Sequence, residues 1–233
     1  MRRVAEWWTR GDAFDSPRAP RGSGAAAPDF LAQTDDPDKP RRELLEERSR
    51  PSAEFTTVED EWRHQCKEFA KRQDLSHVRD MRIAYVVPDA HDRRGNLVIT
   101  VIGAHYRHKA ISQEELLLHA VQEMQKIGGK QYTVVFFNAN VQLPAIPDTT
   151  FMQQLHTGLD YGHRRQLQAI YVVHPSTAVK AWVLALRLRM PEIYGKVVYV
   201  RRLAELDRYV ATTELEGHIP DHVTEADASI ARS

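Results

Sequence analysis

Apolar residues in this chain alternate between two patterns from about residue 81 onward. Short runs of β-branched and aromatic residues give way to longer stretches in which apolar side chains recur every three or four positions. The runs are Arg82–Val87 (RIAYVV), Leu97–Ile102 (LVITVI), Tyr132–Phe137 (YTVVFF), Leu167–Val173 (LQAIYVV) and Lys196–Val200 (KVVYV), and all five read as strands. The third and fourth are almost wholly apolar, as expected for strands covered on both faces. The first two flank Asp92-Arg93-Arg94-Gly95-Asn96, whose turn chemistry predicts a hairpin. Three helical patterns separate the later strands. Ser112 caps the first, with Glu114 and Glu115 in its opening turn, Leu116, Leu117, Ala120, Val121 and Met124 on its apolar face, and Gly128-Gly129 at its end. The second follows a loop containing Pro144 and Pro147; it spans about Thr150–Arg165 and carries Phe151, Leu155, Leu159 and His163 on one side. The third opens near Ser176, after His174-Pro175. Strands alternating with helices predict parallel pairing through right-handed crossovers, an α/β class with a mostly parallel sheet flanked by helices. A short helix over Leu203–Val210 completes the pattern, and Gly217 and Pro220 are expected to end regular structure.

Upstream the texture differs. Pro17, Pro20, Pro28, Pro37, Pro40 and Pro51 punctuate a segment rich in Arg, Asp, Gly and Ala, too poor in apolar bulk to offset the entropy of ordering it. Within it Arg41–Arg50 offers only Leu44 and Leu45 as an apolar face and reads as a solvated linker. Thr57 then caps a helix with Asp60 and Glu61 in its first turn, and Val58, Trp62, Cys66 and Phe69 recur at helical spacing through about Arg72. The expected organisation is a disordered linker over 1–56, a helical lead-in over 57–80, the α/β domain over 81–223 and a disordered tail over 224–233.

Charge and chemistry narrow the function classes. Lys plus Arg number 32 and Asp plus Glu number 32, so no basic excess exists to neutralise a phosphate backbone, and nucleic acid is not an expected partner. The one cysteine, Cys66, cannot form an intrachain disulfide and suits a reducing compartment. No stretch approaches the ~20 apolar residues that span a bilayer. Arg2, Arg3 and Arg10 hint at a mitochondrial presequence, but Glu6, Asp12 and Asp15 oppose it, so a soluble cytoplasmic protein, at most peripheral at membranes, is expected. Gly128-Gly129-Lys130 precedes a strand instead of following one, unlike a P-loop, and no GxGxxG follows the early strands. Ser176 lacks the flanking glycines of a nucleophile elbow and reads as a helix cap. Cys66 reads as a small buried hydrophobe. Among eleven histidines, neither His105 with His108 nor His218 with His222 has further ligands at metal-site spacing. No catalytic residue, metal or cofactor is indicated, and the expectation is a non-enzyme.

The helix after Pro175 carries Val179, Trp182, Val183, Leu186 and Met190 on one stripe, with Ala181, Leu184, Ala185 and Leu188 extending apolar character around it. Its charges, Lys180, Arg187 and Arg189, are all basic. This pattern fits either a crossover helix covering the sheet, with snorkelling arginines, or a mobile cover over an apolar cavity that dips into anionic membrane. The stretch Leu167–Leu206, with Val173-His174-Pro175, the long apolar helix, the Lys196–Tyr199 strand (KVVY), Leu203-x-x-Leu206 and then Ile219-Pro220, resembles the latter half of the divergent CRAL-TRIO (BCH-like) domain family, found in Rho GTPase-activating proteins and in ganglioside-induced differentiation-associated macro-domain proteins. The resemblance covers about Met81 to Val223. It implies a CRAL-TRIO-like fold in which the Trp182 helix resembles the gate of phosphatidylinositol-transfer proteins, over a pocket between helix and sheet. Trp182, Leu186 and Met190, with Val179 and Val183 on the same stripe, would then line the gate, and Val134, Phe136, Ile170 and Val172 the cavity walls, although buried strands show no alternation that selects a face. Lys180, Arg187 and Arg189 would meet anionic headgroups. The implied partner is a phospholipid or other hydrophobic ligand, making the chain a non-catalytic carrier or adaptor. The alternative implied by the same family is a protein-interaction scaffold with a filled cavity, engaging a small GTPase or a second copy. The helical subdomain preceding the module reads as one recognisable helix, and the expectation is a stand-alone module without a GTPase-activating or macro domain.

Overall fold

The computed structural model describes residues 56–141, 149–159 and 161–232. The linker expected over 1–56 lies, apart from Thr56, outside the described residues. Helices α1 (Thr56–Arg72) and α2 (Ser76–Asp80) lead into β1 (Ala84–His91) and β2 (Leu97–Ile102). Then come α3 (Gln113–Ile127), β3 (Tyr132–Phe137), α4 (Thr149–Gly158), α5 (Tyr161–Gln166) and β4 (Leu167–Val173). The chain continues through α6 (Thr177–Arg189), α7 (Pro191–Tyr194), β5 (Val197–Val200), α8 (Leu203–Leu206) and α9 (Asp221–Arg232).

The five strands form one sheet in the order β1-β2-β3-β4-β5. The β1–β2 pair is the expected antiparallel hairpin, and the other neighbours are parallel. Asp92 organises the hairpin turn. Its buried carboxylate accepts from the Arg94 and Asn96 amides (2.8 and 2.9 Å), from Asn96 Nδ2 (2.8 Å) and from Thr133 Oγ1 on β3 (2.8 Å). Burial alone would push this carboxyl up, but the hydrogen bonds outweigh it and hold it below the usual carboxylate range.

Sequential strand order with right-handed crossovers steps always in one direction, so the crossover helices share one face of the sheet. Side chains alternate accordingly. Val98, Ile102, Val135, Phe137, Tyr171, Val173 and Val200 point away from those helices and pack against Leu206, Val210, Leu215 and Val223 of the C-terminal segment. This segment corrects two expectations. Residues 224–232, expected as a disordered tail, belong to helix α9, and Pro220 begins that helix instead of ending the structure: the Val223 and Thr224 amides donate to its carbonyl (2.9 and 3.3 Å). Proline suits a helix start, where its missing N–H has no intrahelical partner to lose. Val223 is fully buried, and Asp227 accepts from the Leu203 amide (2.7 Å) and faces His174 Nε2 (3.1 Å), clasping α9 to the ends of β4 and β5.

On the helical face, Ser112 and Glu115 form a reciprocal capping box at the start of α3, and Gly128 ends the helix in the left-handed region (φ 59°). The single helix expected over Thr150–Arg165 is two, α4 and α5, with Gly158, a poor helix former, closing the first. Helix α1 packs on α3 and α4. Cys66 is buried there; burial, followed by the charge of Glu114, pushes its thiol up to about 12, an inert group.

Candidate ligand cavity

The side chains of opposite parity, Ile99 and Val101 on β2, Tyr132, Val134 and Phe136 on β3, Ile170 and Val172 on β4 and Val197 on β5, face the crossover helices and form one wall of a cavity of about 270 Å³. Pairing of Val134 with Ile170, and of Phe136 with Val172, sets the four wall residues named from sequence side by side on that face. The opposite wall comes from α3, α4 and α6, with Met124, Phe151 and Leu155, and Leu159 just after α4, beside Trp182, Val183 and Leu186. Gly103 lets the backbone lie against this wall: a Cβ there would stand 2.6 Å from Val141 Cγ2 and 3.0 Å from the Phe136 ring.

Helix α6 is positioned by Ser176, whose hydroxyl accepts from the Val179 amide (3.3 Å), a cap as read from sequence. Its inward stripe is Val179, Val183, Leu186 and Met190, but only the middle of it reaches the cavity. Val179 and Met190 were expected at the gate and do not line it. Val179 is fully buried against Val172 and Val183, and Met190 is buried where α6 ends, its amide donating to Leu186 O (2.7 Å). A stripe read from periodicity runs the length of a helix; a cavity is shorter than the helix that covers it.

The outward face of α6 is unusual for a surface. Leu184 is 55% exposed and Leu188 89% exposed. Lys180 Nζ sits 5.9 Å from the Tyr199 ring centroid and Arg187 lies 5.7 Å from that of Tyr194. No acid occurs on this helix. The Arg189 side chain lies outside the described residues.

Polar groups enter the cavity lining at its two ends. Near β1, Glu123 is almost fully buried and accepts from the Val86 amide (3.2 Å) and from Lys126. At the β5 end stand Arg164, His156, Glu192 and Lys196. Lys196 Nζ donates to Leu167 O (2.7 Å) and Arg164 O (3.4 Å). Burial lowers the Lys196 pKa, partly offset by Glu192. His156 is pushed down to about 4, first by burial and then by the charges of Arg164 and Lys196, so its ring is neutral at pH 7. Trp182 Nε1 is buried with no hydrogen-bond partner among the described residues.

Among the described residues no group of three or more His, Cys, Asp or Glu side chains is placed to hold a metal ion. The His105 ring contacts His222 (5.9 Å between centroids), while His218 meets Arg82 and Tyr85. Among the described residues no helix is long and apolar enough to cross a membrane.

A one-faced α/β sheet with an apolar cavity under a long basic-apolar helix is a specific arrangement, and residues 95–229 match the divergent CRAL/TRIO domain. The chain belongs to this family. The matched part of the CRAL/TRIO domain begins in the β1–β2 turn and runs into α9, so it contains β2 to β5, all of α6 and the segment that closes the back of the sheet. The domain is similar to ganglioside-induced differentiation-associated protein 2 of Xenopus tropicalis, at 27% identity over 161 residues, covering 68% of this chain and 32% of that protein. The Danio rerio protein of the same name is 26% identical over 228 residues, covering 94% of this chain and 42% of its own length. The Rho GTPase-activating protein gacY of Dictyostelium discoideum is 23% identical over 123 residues, covering 52% of this chain and 17% of its own. The chain therefore spans less than half the length of each of these relatives.

Proposed function

We propose that this CRAL/TRIO domain is a non-catalytic binding module that takes a hydrophobic ligand into the cavity between its sheet and helices α3, α4 and α6, and that α6 is the element through which it meets anionic membrane. The cavity itself carries the reading. Protein interiors pack to crystal-like density, and a void of about 270 Å³ under a sheet is not tolerated without cost unless something occupies it. Between its two polar ends its walls are apolar from sheet and helices alike, so water there gains few hydrogen-bond partners. Trp182 also lines this space, and its Nε1 is a buried donor with no partner among the described residues. Burial of an alkyl chain contributes ~25 cal/mol per Å² removed from water, the term that would supply most of the affinity.

Leu184 and Leu188, flanked by Lys180 and Arg187, support the membrane half of the proposal. Apolar side chains inserted among headgroups, with basic neighbours worth ~1 kcal/mol each near an anionic surface, match the chemistry of an interfacial helix. The scaffold alternative, binding of a small GTPase or of a second copy, draws on the similarity to a Rho GTPase-activating protein and needs no cavity.

Native mass spectrometry of the purified chain tests the reading. A copurifying amphiphile, or stoichiometric uptake of one from a mixed lipid extract, is the expected result. A mass that stays bare after exposure to that extract would overturn ligand carriage and favour the scaffold.

A further inference from the structure

The two edges of the sheet are finished differently. An edge strand offers a row of backbone N–H and C=O groups to any extended chain that comes near, and folds normally blunt it. β1 is blunted in several ways. Pro88 interrupts it, Asp89 takes up the left-handed region (φ 58°), and the register with β2 shifts between Val86 and His91. Two α3 side chains cover what remains: His119 Nε2 donates to the Ala84 carbonyl (2.8 Å), and Glu123 accepts from the Val86 amide (3.2 Å).

β5 has no such cover. The Ile170 and His174 amides donate to the Lys196 and Val200 carbonyls (2.8 and 2.9 Å), which fixes the residues of β5 that face β4. Alternation along a strand then turns Val198 toward β4 as well and sends the N–H and C=O of Val197 and Tyr199 outward. None of these outward groups has a partner among the described residues. Only past the end of the strand is an amide met, where Arg201 N–H donates to Glu205 Oε2 (2.9 Å). Tyr199 is 41% exposed and does not line the cavity.

Charge decides what fits this edge. Lys180 stands over the Tyr199 ring, Arg187 over that of Tyr194, and Arg201 follows the strand directly. All three are exposed, and no acid among the described residues pairs with their side chains. The nearby acids act elsewhere, Glu205 on the Arg201 amide and Glu192 on Lys196. A second copy fits poorly. Antiparallel pairing of two β5 strands about a twofold axis at Val198 would set Lys196 of each beside Arg201 of the other, and like charges across a strand pair are destabilising.

We propose that β5 is a docking strand for an extended acidic segment of a partner protein. The segment adds to the five-stranded sheet by exchanging hydrogen bonds with Val197 and Tyr199, and sets its carboxylates against Lys180 and Arg201. Main-chain bonds supply affinity in this mode and alternate side chains supply specificity. The inference is independent of the ligand reading, since the edge lies outside the cavity.

The test uses the full chain without lipid and fluorescent peptides of about ten residues, the upper length of an ordinary strand. The probes are an alternating Glu-Val peptide, an alternating Lys-Val peptide, and an N-methylated Glu-Val peptide that keeps the charges and has no N–H. Glu-Val is expected to bind about tenfold or more tightly than either of the others, read by anisotropy. In its complex, amide exchange should slow at Val197 and Tyr199 and stay unchanged at Val198 and Val200. Tyr199→Pro removes one outward N–H and leaves the β4 bonds intact, and it should weaken Glu-Val binding about tenfold. Lys180→Glu, on the exposed face of α6, should do the same and guards against a proline variant that fails to fold. Equal binding of the N-methylated peptide, or no protection at Val197 and Tyr199, would overturn strand addition. Equal binding of Lys-Val would overturn the charge assignment. Self-association of the peptide-free chain that Tyr199→Pro abolishes would overturn the acidic partner in favour of a second copy. Failure of Glu-Val to bind would overturn the proposal and leave ligand carriage standing.

Discussion

Val134 and Val135 are consecutive residues of β3 that face opposite layers of the molecule, and the same substitution at each should have opposite consequences. Val135 is fully buried in the packed cluster beneath the C-terminal segment, whereas Val134 is only half-buried and borders the cavity between Ile99 and Ile170. Phenylalanine adds four carbons to valine. At ~0.8 kcal/mol per buried methylene-sized group, Val134→Phe gains up to ~3 kcal/mol if the ring enters open space. At Val135 no such space exists, and overpacking costs ~1–3 kcal/mol. For a domain of this size ~1 kcal/mol corresponds to ~2–4 °C in Tm. Scanning calorimetry of the ligand-free protein should therefore give Val134→Phe a Tm between unchanged and roughly 6–12 °C higher, and Val135→Phe one lower by roughly 2–12 °C. The filled variant should also lose the stabilisation that an added alkyl ligand gives the parent. Equal destabilisation by the two substitutions would show that the space beneath Val134 is not available, and the cavity argument would fall with it.

Two further outcomes are expected. The His156 pKa is depressed in the folded state to about 4 from the ordinary ~6.5, so the folded form binds its proton less readily than the unfolded chain. Its contribution to stability is complete above pH ~6.5 and is lost as pH falls from there toward 4; urea midpoints measured across that window should decline less steeply in His156→Leu, and parallel curves would refute the assignment. Leu188, 89% exposed, can be replaced by Asp with a folding cost within ~0.5 kcal/mol, yet cosedimentation with phosphatidylserine vesicles should fall about tenfold; unchanged cosedimentation removes α6 from the membrane contact.

The strand–helix alternation, the hairpin and the α6 cap were readable because each depends on neighbours in sequence: turn residues at Asp92 to Asn96, a hydroxyl at Ser176, glycines after Ile127. The divergent CRAL/TRIO family was readable from the order of such segments. Which face of β3 and β4 meets the cavity was not, because both strands are apolar on both sides and parity carries no label. Nothing in the sequence prefers Val134, Phe136, Ile170 and Val172 over Val135 or Tyr171, and only strand register with the one-sided placement of the crossover helices supplies that preference. The α4 wall had a partial signal in the spacing of Phe151, Leu155 and Leu159. The polar group at the β5 end had none, since His156, Arg164 and Lys196 come from α4, α5 and the β5 approach and meet only through the crossovers. Helix α9 is not legible because Pro220 reads equally well as a helix stop or a helix start.

The rear of the sheet is sealed by residues that follow β5, the last strand of this sheet in sequence order. Synthesis delivers this cover after everything it must hide. A ribosome-bound chain that has completed all five strands still displays Val135, Phe137, Tyr171 and Val173 as a bare greasy plane, the kind of surface that captures chaperones or other nascent chains. Removing helix α9 would leave Val223 and the Asp227 clasp unmade and that plane uncovered, so a variant lacking α9 should express and fold poorly.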